Sequence, residues 1–114
     1  MSVLKRHRTT SKSEFVNTAN RIYIETLQFL TKLSARYSRL VAADVMRLAS
    51  EVLDHAEKAN SIYPSDDTRK ALRQSHLLEA RASLMALDVH MAHVYELCML
   101  NPQGCFTKAS GATV

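Results

Sequence analysis

His90-Met91-Ala92-His93 sets two imidazoles at i and i+3 on one side of a helix, a spacing that can begin a metal site. No third ligand stands at a suitable spacing, so His55 or His76 would have to arrive from another element. Polar interior or surface histidines are the competing reading. Asp54-His55, with Glu51 close by, has residue types suited to acid–base work, yet no nucleophile and no Gly-rich phosphate loop accompanies it. Glu51, Asp54 and Glu57 step by three, as a solvated helix face does. These groups argue for no enzyme, no metal and no cofactor.

The cations are better candidates. Lys5, Arg6, Arg8 and Lys12 precede the first acid, Glu14, so residues 1–12 carry four bases and account for the whole net charge of +4. The remainder is balanced, eleven bases against eleven acids, but blocked by sign. Lys32, Arg36, Arg39 and Arg47 face only Asp44, and Arg69, Lys70, Arg73 and Arg81 face only Glu79. Between these blocks, residues 48–67 are acidic. Such blocks can orient a polyanion or pair two protein surfaces. Arg69, Lys70 and Arg73 fall in the first turns of a helix, where the dipole disfavours cations and Asp66 and Asp67 offset that locally. Their functional reading is a grip on a phosphate backbone. Arg36 and Arg39 flank Tyr37 in an inter-helix turn, where they offer guanidinium groups and a stacking ring for RNA; Tyr37 is equally readable as a core plug.

Three long helices must position these residues. Ser11 with Glu14 three residues on reads as a capping box, and Phe15, Ala19, Ile22, Phe29 and Leu33 continue an apolar face to about residue 35. Residues 39–61 carry a second stripe, Val41, Val45, Leu48, Val52, Ala56 and Ala59, stopped by Pro64. Residues 67–99 form the longest helix, roughly 50 Å if straight, capped by the Ser65-Asp66-Asp67 run. Two apolar rows run its whole length without Gly or Pro. The domain division is a basic arm over 1–11, a helical domain over 12–100 and a loose tail over 101–114.

With 114 residues, two glycines, two prolines and no tryptophan, the chain is one all-α domain. No apolar run approaches the roughly 20 residues that span a bilayer, and no apolar stretch follows the basic N-terminus as in a signal peptide. Cys98 and Cys105 read as reduced thiols of a soluble cytoplasmic protein. Three helices with two apolar rows each carry more hydrophobic face than they can cover among themselves, which implies a partner, either copies of the same chain or a fourth helix.

Three strings carry a family resemblance: the turn Ala35-Arg36-Tyr37-Ser38-Arg39-Leu40, the helix end Ala59-Asn60-Ser61-Ile62-Tyr63-Pro64, and Leu77-Leu78-Glu79-Ala80-Arg81-Ala82-Ser83-Leu84. Over residues 12–100 the chain resembles the four-helix-bundle family of 23S rRNA-intervening-sequence proteins, which includes the Avd (accessory variability determinant) proteins of diversity-generating retroelements. The resemblance implies an up-and-down bundle that forms a basic homo-oligomer, a pentamer in Avd-type members. It also implies binding to a reverse transcriptase and its template RNA in support of cDNA synthesis, without enzymatic activity. The family's fourth helix, after the Asn-Pro turn, has no counterpart before residue 114. The nucleic-acid-binding residues are then Lys5, Arg6, Arg8, Lys12, Arg36, Arg39, Arg69, Lys70, Arg73 and Arg81. The rival reading is a structural protein-interaction module that uses its apolar rows and charge blocks to dock one protein.

Overall fold

The computed structural model describes residues 13–107, and among them the regular structure is helical apart from one isolated β-bridge. Helix α1 covers Glu14–Lys32, α2 Ala35–Ser61 and α3 Asp67–Leu100, followed by a single turn, α4, over Pro102–Cys105. Direction follows from the cross-contacts. The Ser13 hydroxyl, at the head of α1, bonds Asn60 near the end of α2, whereas Asn101, at the foot of α3, bonds Tyr37 near the start of α2. So α2 runs against both neighbours, and α1 and α3 run the same way.

The reason for that order lies on α2. Val45, Leu48, Ala49, Val52, Ala56 and Ala59 are all buried, and Ala49 and Ala59 expose nothing. Small residues along this row let a helix close in on each flank. Both α1 and α3 pack extensively on α2, while their own backbones hardly approach each other. The three helices form a thin layer, and the chain measures 54 × 31 × 16 Å.

Burial divides the layer in two. The larger core joins all three helices near the foot of α3 through Leu30, Tyr37, Val45, Leu48, Leu87 and Val94. The smaller one, Val16, Ala19, Val52 and Ala56, belongs to α1 and α2 alone. At that end polar groups tie α3 to α2. Ser83 donates to Glu51 Oε1 at 3.1 Å, and His55 Nδ1 meets His76 Nδ1 at 3.1 Å. Glu51, read from its spacing as a solvated residue, also accepts from Arg47 at 3.2 Å.

Helix α1 starts at Glu14, shortly after Ser11 as expected, with Ser13 at the cap position and its hydroxyl turned to Asn60 at 2.8 Å. Ser11 lies outside the described residues. Several other sequence expectations need correction. The turn between α1 and α2 is only Leu33-Ser34, so Arg36, Tyr37 and Arg39 sit in the first turns of α2 and not in a loop. Residues 101–107, expected to be loose, are folded. The Ser34 N–H donates to the Cys105 carbonyl, the Ser34 hydroxyl donates to the Gly104 carbonyl, and the Thr107 N–H donates to the Lys32 carbonyl. A Cβ at Gly104 would strike the Asn101 side chain, whose amide reaches Tyr37.

Cys98 and Cys105, expected as reduced thiols, are joined as a disulfide with Cα atoms 5.2 Å apart. The physical cause is the Asn101 turn, which folds Cys105 back onto the last turn of α3.

Ala49→Leu overpacks the α2 stripe and is expected to lower stability by roughly 1–3 kcal/mol in chemical denaturation. Reduction with dithiothreitol opens a loop of 7 residues' separation and is expected to lower stability by about 2 kcal/mol in the same assay.

Candidate nucleic-acid interface

The chain exits toward its first twelve residues at Ser13, and Ser13 is bonded to Asn60. Asn60 is the penultimate residue of α2, and α3 begins at Asp67, so the head of α1 and the head of α3 share one end of the layer. Arg73 confirms the adjacency: its guanidinium carbon stands 5.6 Å from the centre of the Phe15 ring. That stacking holds the charge at the surface beside an apolar face.

Arg69, Lys70 and Arg73 therefore gather where the arm leaves the domain. Asp66 caps α3 by accepting from the Arg69 N–H at 2.8 Å, and its other oxygen lies 3.6 Å from Arg69 Nε. Both side chains of that pair are 60% exposed, so the attraction is weak and either partner can exchange it for another ion. Lys70 is exposed and has no ion-pair partner among the described residues. Lys5, Arg6, Arg8 and Lys12 lie outside the described residues.

The remaining candidates are elsewhere. Arg36 and Arg39 are exposed on the first turns of α2, at the opposite end of a helix of 27 residues, about 40 Å long. Tyr37 between them is no stacking ring for RNA. It is 9% exposed, belongs to the main core and receives a hydrogen bond from Asn101 Nδ2 at 3.1 Å. Arg81 stands eight residues beyond Arg73, about 12 Å along α3, and borders an apolar groove. The structure thus gathers one basic end and leaves Arg36, Arg39 and Arg81 apart from it.

The histidines behave differently from their spacing. His90 turns Nδ1 to the Ala86 carbonyl at 3.0 Å, a contact within its own helix. His55 and His76 instead come together across α2 and α3, ring centres 5.4 Å apart. One ring must present a bare Nδ1 to the other's N–H, so the pair shares a single bonding proton. Sequence reasoning named both residues but had no signal for their pairing, because the contact depends on the register of α2 against α3. No group of three or more His, Cys, Asp or Glu is placed to hold a metal among the described residues. No helix is long and apolar enough to cross a membrane among the described residues.

No family model matches the chain, nor does any curated protein or solved structure.

Removing the Tyr37 hydroxyl separates its two readings. Tyr37→Phe is expected to cost on the order of 1 kcal/mol of stability, through loss of the bond from Asn101, and to leave RNA affinity unchanged in a gel-shift titration.

Proposed function

We propose that this chain is a non-catalytic nucleic-acid-binding accessory protein whose basic end holds RNA through its phosphates. The observation that carries the reading is the placement of Arg69, Lys70 and Arg73 at the point where the four-cation arm leaves the domain. Seven cations from two separate stretches of sequence then act on one polyanion. Each phosphate they neutralise releases condensed counterions, which supplies affinity without reading bases. Exposed Arg36 and Arg39 offer a second contact at the far end for an RNA long enough to span the layer.

The resemblance to the Avd-type four-helix-bundle proteins gives this reading its biological form. The RNA would be the template of a diversity-generating retroelement, and the protein partner its reverse transcriptase, with the chain supporting cDNA synthesis in the cytoplasm as a homo-oligomer. A pentamer is the form that the resemblance implies. The up-and-down bundle belongs to the same proposal, since α1, α2 and α3 alternate in direction as its first three members would.

A second reading, a protein-docking module with no nucleic-acid role, draws support from the groove between α1 and α3. Substitution separates the two. Arg69→Gln with Lys70→Gln is expected to reduce the slope of log affinity against log salt for a structured RNA by about 2, and the fourfold arm variant Lys5→Gln, Arg6→Gln, Arg8→Gln, Lys12→Gln by about 4. If neither variant changes RNA affinity, the nucleic-acid reading fails and the docking module replaces it.

A further inference from the structure

His55 of α2 and His76 of α3 meet at the basic end of the layer, and no part of the proposed function uses them. Their ring centres stand 5.4 Å apart and their Nδ1 atoms 3.1 Å, a difference that two imidazole radii fill. Both nitrogens therefore lie close to the line joining the ring centres. The rings are inclined by only 30°, so they aim these two atoms at one another. The middle of that line suits a hydrogen and no larger ion, because a metal bound to both nitrogens needs bonds of about 2.0–2.1 Å.

The pair can hold one charge and not two. With both rings neutral, one donates from Nδ1 and keeps a bare Nε2. A proton added at that Nε2 leaves the Nδ1–H in place and makes it a charge-assisted donor, which tightens the seam between α2 and α3. A second proton would have to sit on the accepting Nδ1, setting N–H against N–H and cation against cation. Uptake of one proton thus adds a full positive charge without opening the fold.

That charge falls in line with the arginines. Arg69, Arg73 and His76 are spaced i, i+4 and i+7, one stripe of α3 running from its head. His76 is about 10 Å along the axis from Arg69, within reach of the same phosphates at ordinary ionic strength. Both rings are half-buried, so water and ions reach their edges. On α2, Glu51 and Lys58 stand a turn to either side of His55, with Asp54 and Glu57 nearby. On α3, Arg73 and Glu79 flank His76 by a turn, and Glu14 lies at the adjoining head of α1. The Glu51 carboxylate already accepts from Ser83 and Arg47. The acids favour a charged pair, whereas Arg69 and Arg73 oppose it until a phosphate neutralises them.

We propose, on the RNA reading of the basic end, that His55 and His76 are a further part of that site, taking up one proton as phosphates bind Arg69 and Arg73 and then acting as a single cation. Coupling of this kind is reciprocal: RNA favours the charged pair, and the charged pair favours RNA by the same factor. Affinity then rises as pH falls through the imidazole range, and the gain is lost as pH rises through it.

The test is the affinity of the full chain for a short RNA hairpin at several salt concentrations, from about pH 8 to about pH 5.5, the span across which imidazoles change charge. His7→Gln serves as the parent, since the arm's own imidazole titrates too. His90 is fourteen residues beyond His76, about 21 Å along α3, and stays in place with His93 in every variant. On acidification the parent is expected to bind roughly three- to tenfold tighter, with its slope of log affinity against log salt steeper by about 0.9 for one added phosphate contact. His55→Gln with His76→Gln in that parent keeps amides able to bond across the seam and is expected to abolish both changes. Calorimetry of the parent with the same hairpin, in two buffers of different ionisation heat, counts protons without altering the pair and is expected to find net uptake near neutral pH. Salt-dependent binding with no proton uptake, or a gain that survives in the helical double Gln variant, overturns the role of the pair and leaves the proposed function standing. A chain that binds no RNA at any pH overturns both.

Discussion

The close packing of two helices on the small residues of α2 governs the rest of this molecule. Ala49, Ala56 and Ala59 lie almost wholly out of solvent, so each flank of α2 admits a neighbour at short range. With α2 occupied on both flanks, α1 and α3 meet through long side chains, Arg73 with Phe15 and Phe29 with Tyr95. Their backbones stay apart, and the groove between them is a geometric consequence of that central contact. The apolar surface exposed on Met85, Val89 and Met99 is then the remainder of helices whose buried rows are already spent on α2.

The two ends of the layer are held by different physics. At the foot of α3 the core is apolar and continuous, and the Cys98–Cys105 link and the Asn101 turn close it over the junction of α1 with α2. At the head of α3 the α2–α3 seam is polar, made from Glu51, Ser83, His55 and His76. Hydrogen bonds contribute less net stability than apolar burial of similar extent, but their directionality fixes register. The polar end is also the end where the basic residues gather. Charged side chains are placed there at little cost to the core, since the core that matters most lies at the other end.

How much of this was legible in the sequence depends on where the decisive partner sits. The span of α3 was readable to within a residue, because Pro64, Asp66 and Asp67 mark its start locally. The end of α2 was readable for the same reason. The break between α1 and α2 was not. Leu33-Ser34 contains neither Gly nor Pro, and its bend is held by the Gly104 and Cys105 carbonyls some 70 residues away. For the same reason the ordered turn at 101–107 escaped a local reading, and Tyr37 stayed open between a stacking ring and the core plug that it is. The basic residues of the candidate site were identifiable by type, but their division between two ends was not, since it follows from α2 running against α3.

On the proposed function, cations of the arm and of the α3 head act on one RNA backbone. Titration of a structured RNA with the full chain at several salt concentrations reads this out. Affinity is expected to fall about a thousandfold or more between roughly 50 and 200 mM salt, as release of counterions from about six or seven phosphates requires. Weak binding that is flat across that range would contradict it.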